Sequence, residues 1–391
     1  MSRPERRPII LIAGGGTGGH VFPALAVADA LRAIADVDIV FVGTPRGLES
    51  RVIPTHGYPL ELLDVTPMKG GGPARAVKGA VVAARETIRA LGLVRRFRPR
   101  AVLSVGGYAA GPVSLAAALL QVKLAVLEPN SVIGFANRLL APFAARGYLA
   151  WSEAGVAFRK GRARVVGVPL RAGFLPQSYA ATAGSARVLV MGGSQGAQAL
   201  NERMPAAIAR AKQAVPTLQA VHQSGRDRDA TVRSAYTAEG VSGVEVTPFL
   251  DDVPAAIARA DVIVARAGAV TVAEIAAVGR ASILVPFPHA ADDHQAKNAE
   301  SLAADGGAVA VRQEAADVKR IADELVRLLG DHALRGRMAA AARAHGKPQA
   351  AMDIARDLLD LAGIPLAKPT PPPKPRHVNG APTPPSSPEV R

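Results

Sequence analysis

Residues 12–26 read IAGGGTGGHVFPALA, with five glycines crowded between positions 14 and 19 and His20 directly after them. A glycine turn leading from an apolar run into a helix can aim backbone amides at an anion. An imidazole beside it titrates near neutral pH and can move a proton. Gly14-x-Gly16-x-x-Gly19 also satisfies the dinucleotide fingerprint, which makes a second demand: an acid ending the next strand, to hold a ribose diol. That strand ends VFVGTPRG, with Gly43 and Thr44 where the acid should stand, and Asp36 and Asp38 fall too early. The spacing therefore turns away from NAD and towards another anionic ligand.

The second half repeats the turn with different neighbours. GGSQGA (192–197) follows an apolar run and opens a helix, and Ser194 adds a hydroxyl donor. RAGAVTVAE (266–274) is a second such turn, with a helix expected to start near Thr271 and Glu274 on its first turn. A carboxylate there can accept both hydroxyls of a ribose; the plainer reading is an acid complementing the helix dipole.

Short apolar strands alternate with helix-like stretches, which predicts an α/β protein with parallel sheets. Strands are expected at 8–13, 37–43, 100–107 and 123–130, and the pattern restarts near 165 with strands at 187–191, 218–225, 244–250, 261–268 and 281–287. The economical division is 1–165 and 166–348 as two similar domains, 349–363 as a last helix crossing back over their junction, and 364–391 as a proline-rich tail. Ligands of such sheets bind beyond the strands' carboxyl ends, so two facing domains would share a cleft. With ten prolines in 365–391 and few bulky apolar residues, the tail is excluded from the chemistry. Cysteine is absent, so thiolate metal sites and disulfides are excluded. No signal peptide or transmembrane span is expected, because the longest apolar stretch, 109–127, is broken by Pro112, Gln121 and Lys123. The net charge is +15, of which residues 1–170 carry +12 (22 Lys and Arg against 10 Asp and Glu). That surplus calls for an anionic partner, nucleic acid or an anionic membrane.

GGTGGHVFPALAVA, SVGGYAAGP, GGSQGA, FLDD, RAGAVTVAE and VPFPHAADDHQAKNA stand in the order and spacing of the MurG family, and the chain resembles that family over roughly residues 8–362. The resemblance implies a GT-B fold, two Rossmann-like domains facing a central cleft. It implies an inverting transfer of N-acetylglucosamine from UDP-N-acetylglucosamine to the 4-hydroxyl of the N-acetylmuramoyl group of lipid I, with no metal and no cofactor. Leu250, after Phe249, would offer main-chain groups to the uracil edge; Glu274 would take the ribose, and Ser194 and Arg171 the diphosphate. Ala269, Val270, Thr271, Val272 and Ala273 would supply amides to phosphate and sugar. Gln295, beside His294, and Asn130 would fix sugar hydroxyls. The backbone at Thr17, Gly18 and Gly19 would close over the donor's reactive end. His20 is the leading base, and Glu128 its rival, with a structural role the plainer one for that carboxylate. Where the family often has Gln before Asn130 this chain has Pro129, and Val168 replaces a frequent Asn.

Residues 75–98 read as a helix with Val77, Val81, Ala84, Ile88 and Leu91 on one face and Arg75, Lys78, Arg85, Arg89 and Arg96 on another. Such a segment suits anionic headgroups, and a lipid acceptor implies the cytoplasmic face of the membrane rather than nucleic acid. Other cell-wall synthesis proteins would be further partners. His56, His222 and His289 have no chemistry assigned and read as surface or packing residues. The alternatives are another GT-B nucleotide-sugar enzyme with a different lipid acceptor, an epimerase, or a non-catalytic basic binding protein.

Overall fold

A computed structural model describes residues 7–65, 73–180, 186–193 and 196–367, with backbone alone at 73–81 and 83. Ser194, the side chains of Arg75, Val77, Lys78 and Val81, and the tail from 368 onward lie outside the described residues. In chain order the first domain runs β1 (Ile9–Gly14), α1 (Gly18–Ile34), β2 (Asp38–Gly43), α2 (Glu49–Thr55), β3 (Leu60–Leu62), α3 (Pro73–Phe97), β4 (Ala101–Gly106), α4 (Ala110–Leu119), β5 (Lys123–Glu128), α5 (Phe135–Leu140), β6 (Arg146–Leu149) and β7 (Ala163–Val165). Its seven strands are parallel in the order β3-β2-β1-β4-β5-β6-β7. They read as unbroken apolar runs because helices cover both faces: odd- and even-numbered residues of β1 enter two different cores, Ile10 and Ile12 on one side, Leu11 and Ala13 on the other.

The second domain runs β8 (Ala186–Met191), α6 (Gln198–Ala214), β9 (Leu218–Gln223), α7 (Asp229–Ala238), β10 (Val244–Thr247), α8 (Val253–Arg259), β11 (Val262–Ala265), α9 (Ala269–Val278), β12 (Ala281–Leu284), α10 (His294–Ala304), β13 (Ala308–Ala310), α11 (Val318–Gly330) and α12 (His332–His345). Its six strands are parallel in the order β10-β9-β8-β11-β12-β13. Each sheet has its topological switch beside its first strand, between β1 and β4 and between β8 and β11. Crevices at such switch points are where α/β sheets bind ligands, and the glycine turns lie at both.

The last helix, α13 (Ala350–Ala362), leaves the second domain and completes the first. Ile354, Ala355, Leu358 and Leu359 are each 1% exposed or less, in the same core as Ile10, Leu25 and Leu31. Each buried Leu or Ile contributes about 1.5–3 kcal/mol. Asp357 fixes the rotation, accepting from Tyr148 Oη at 2.8 Å and pairing with Arg146 at 3.2 Å and Arg164 at 3.0 Å.

Two expectations need correction. α9 starts at Ala269, not near Thr271, so Glu274 sits on its second turn. In α3 the core takes Ala90, Val94 and the carboxylate of Glu86, whereas Ala84 is exposed and Ile88 is 70% exposed. Of the apolar stripe read from the spacing, Ala84 and Ile88 therefore face outward, whereas Leu91 packs against the core. Among the described residues no helix is long and apolar enough to cross a membrane.

Candidate active site

The turn after β1 is shaped by what its glycines must clear. A Cβ on Gly14 (φ 144°) would overlap the Gly106 carbonyl at the end of β4. Gly15 N–H donates to Gly106 O at 3.2 Å and Gly16 N–H to Glu49 Oε2 at 2.6 Å. Thr17 is the N-cap of α1, so the first-turn amides of Gly18 and Gly19 have no helical acceptor and are free for an anion. His20 stands half-buried one residue on, its ring against Gly106, where a Cβ would come to 3.0 Å from Nε2. Its Nδ1 is 3.5 Å from Thr17 Oγ1. Burial lowers the His20 pKa; Glu128, a hydrogen bond to the Gly15 backbone, and Glu49 push it back up, and His294 adds to the lowering. The ring is therefore neutral at pH 7 and able to accept a proton.

Glu128 ends β5 at 2% exposure with its oxygens fully engaged. Oε1 accepts from Asn130 N and Nδ2, both at 3.1 Å, and Oε2 from Gly134 N at 2.9 Å and Asn137 Nδ2 at 3.0 Å. Four donors thus converge on this carboxylate, and its charge favours the protonated form of His20. The same bonds turn the Asn130 amide inward. Asn137, 3% exposed, also donates to Leu127 O at 3.1 Å.

Across the cleft, Glu274 is 7% exposed, and burial pushes its carboxyl up to about 7 against the pull of Arg171. The Arg171 guanidinium lies 4.5 Å from the ring centre of Phe22 on α1, so it touches both domains. In α9 the amides of Ala269, Val270 and Thr271 are the free ones. Val272 N–H donates to Gly268 O at 3.0 Å and Ala273 lies deeper in the ladder, which corrects the wider set of amides expected here. Gln295 Oε1 accepts from Phe287 N at 3.0 Å. Leu250 lies with Phe249 in a groove of about 670 Å³ running along β8, β9 and β10. Behind the turn at 192–197, Gln223 Nε2 donates to Gly193 O at 3.0 Å and Asn201 Nδ2 to Ser224 O at 2.9 Å. The buried His222 ring bridges Asn201 Oδ1 (3.1 Å) and Tyr236 Oη (3.0 Å), and burial lowers its pKa to about 4. It packs, as read from the sequence, but it packs behind the turn.

Glu49, Asn137 and the electrostatic reach of His294 to His20 were not legible in the spacing. The signal for Glu49 is the set Gly15, Gly43 and Gly47, where a Cβ at any of the three would overlap its carboxylate. Among the described residues no group of three or more His, Asp or Glu is arranged to hold a metal ion.

Residues 10–149 match the glycosyltransferase family 28 N-terminal domain and residues 187–354 its C-terminal domain. The chain is 53% identical, over 91% of its length and 89% of the relative's, to the UDP-N-acetylglucosamine–N-acetylmuramyl-(pentapeptide) pyrophosphoryl-undecaprenol N-acetylglucosamine transferase of Sorangium cellulosum. It is 44% identical to the protein of that name from Acidithiobacillus ferrooxidans, over 90% and 98%. Among solved structures, Acinetobacter baumannii MurG superposes with a TM-score of 0.74 at 31% identity, covering 90% of this chain and 99% of that one. The UDP-GlcNAc 2-epimerase of Neisseria meningitidis, at 12% identity and a TM-score of 0.62, shares the fold.

Proposed function

The chain belongs to the MurG branch of glycosyltransferase family 28, and we propose that it transfers N-acetylglucosamine from UDP-N-acetylglucosamine to the N-acetylmuramyl-(pentapeptide) unit of pyrophosphoryl-undecaprenol, turning lipid I into lipid II. The match to curated transferases of that name over nine-tenths of the chain carries this reading.

In the proposed mechanism the oxygen of the muramoyl 4-hydroxyl attacks the anomeric carbon from the face opposite the leaving group. The new C–O bond forms as the bond to the UDP oxygen breaks, which inverts the configuration. His20 takes the hydroxyl proton, since the ring is neutral at pH 7 and the nearby Glu128 charge favours the imidazolium it becomes. Arg171 and the amides of Ala269, Val270 and Thr271 take the charge of the departing diphosphate. Glu274 accepts from the ribose hydroxyls, and the Leu250 backbone meets the uracil in the groove beside Phe249. Gln295 and Asn130 serve the sugar, and the free amides of Gly18 and Gly19 face the acceptor's pyrophosphate.

The acceptor's lipid chain sets the working location at the cytoplasmic face of the membrane. α3, α4 and α5 pack in series and, with the turn after α5, leave Ile88, Leu115, Leu119, Phe135, Leu139 and Phe143 between 43% and 70% exposed. An apolar surface of this kind on a basic domain suits an anionic interface. Radiolabelled UDP-N-acetylglucosamine with a lipid I analogue, with and without chelator, tests the assignment: labelled lipid II is expected in both. No product from lipid I, or turnover lost in chelator, would overturn the corresponding part.

A further inference from the structure

We infer that Glu49 is a positioning residue for the acceptor side of the site, holding the glycine turn so that the amides of Gly18 and Gly19 and the His20 ring face the cleft; this rests on the acceptor reading above. Glu49 opens α2 at 1% exposure. Its Oε2 takes Gly16 N–H at 2.6 Å, and its Oε1 takes Thr44 N–H at 2.8 Å and Thr44 Oγ1–H at 2.9 Å. The neighbouring Leu48 N–H donates to Gly16 O at 3.3 Å, so the segment entering α2 grips both polar groups of Gly16. With Gly15 N–H spent on Gly106, the first two amides of the turn point inward, while no acceptor takes those of Gly18 and Gly19.

The space for this carboxylate is built from three segments: the end of β1 gives Gly15, the end of β2 gives Gly43, and the loop after it gives Gly47. A first-turn acid serving only its own helix dipole would be exposed and would need none of these. Among the described residues Glu49 makes no salt bridge, and its charge is met by the three donors and the N-terminus of α2. The acid missing from the end of β2 is thus present six residues later, folded inward onto a loop amide instead of outward towards a ribose. That charge also reaches His20. The groups facing the ring are Glu128 from β5, the Gly15 backbone and Glu49 from α2, which favour its protonated form, and His294 from α10, which opposes it.

The test uses the full chain with Glu49→Gln and Thr44→Val. Gln keeps the volume, but its amide nitrogen must face either Gly16 N–H or Thr44 N–H, donor against donor. The expected result is a roughly 10–100-fold loss in kcat/KM for the lipid I analogue, with UDP-N-acetylglucosamine binding within about twofold of wild type because the donor is held by the other domain. The imidazole titration of His20, followed by NMR, should shift to lower pH. Thr44→Val, which removes one donor and no charge, should give a smaller loss of the same kind and leave the titration in place. The titration needs no acceptor, so it reads the Glu49 contact even should lipid I not be the substrate. An unchanged acceptor KM and His20 midpoint in Glu49→Gln, or equal losses for donor and acceptor, would overturn the inference.

Discussion

Donor binding should be linked to a proton on Glu274. The unliganded carboxyl, buried at 7% exposure, titrates at about 7. A ribose diol donates two hydrogen bonds, which only the ionised carboxylate accepts fully, so binding must drive the proton off. At pH 7 about half of the free protein carries that proton, and binding should release about half a proton per site. At pH 6 roughly nine-tenths carries it, so Kd should be about fivefold weaker than at pH 7, and at pH 8 about twofold tighter. UDP-N-acetylglucosamine is the right probe because its diphosphate is esterified at both ends and does not titrate in this range. Calorimetry in two buffers of different ionisation enthalpy counts the protons directly. Glu274→Gln should bind roughly 10–100-fold more weakly at pH 8 and lose the pH dependence between 6 and 8. A wild-type Kd that is flat across that range, or a pH dependence that survives in Glu274→Gln, would refute the reasoning.

His20→Ala should lower turnover by about 10²–10⁴-fold with donor affinity nearly unchanged. The acidic limb of kcat, expected below pH 6.5 because burial lowers the ring's pKa, should vanish with it; near-normal turnover would remove His20 as the base. His222 has a folded pKa of about 4 against 6.5 unfolded, so its contribution is complete above pH 6.5 and is lost as pH falls towards 4. Urea midpoints should therefore show a loss of about 2–3 kcal/mol between pH 7 and pH 4.5 that is absent in His222→Gln. Ile88→Asp with Leu119→Asp should reduce binding to anionic vesicles while leaving activity on a short-chain soluble acceptor. Arg89 is the wrong residue to reverse, since it pairs with the buried Glu86 at 3.1 Å and a carboxylate there would disturb the packing of α3.

The central strands and the two-domain architecture could be read ahead because strands buried on both faces leave continuous apolar runs, and 9–14, 38–43, 101–106 and 123–128 carry them. The end of β10 was read three residues too long. Thr247 ends β10 by donating to Phe249 O at 2.6 Å, a bond that hydropathy does not register. α1 begins at Gly18, four residues before the periodic apolar segment, because the turn fixes its start despite glycine's poor helix propensity. Glu274 and His20 could be picked out by type and spacing, and Arg171 through the family resemblance. Glu49 could not, because its partners are the Gly16 amide, 33 residues away, and two groups of Thr44, and its cradle is made of absent side chains.

The helix that seals the first domain is synthesised after every described strand of both domains. At a ribosomal pace of about 5–20 residues per second, roughly 10–40 s pass between the emergence of β7 and of α13. Throughout that interval the surface of α1 that will meet Ile354, Leu358 and Leu359 has no cover. The second domain has all its strands before α13 exists, so order of completion runs opposite to order of synthesis. Maturation of the first domain is then an intramolecular docking step, and a nascent chain stalled before residue 350 leaves the apolar face that α13 covers without its partner.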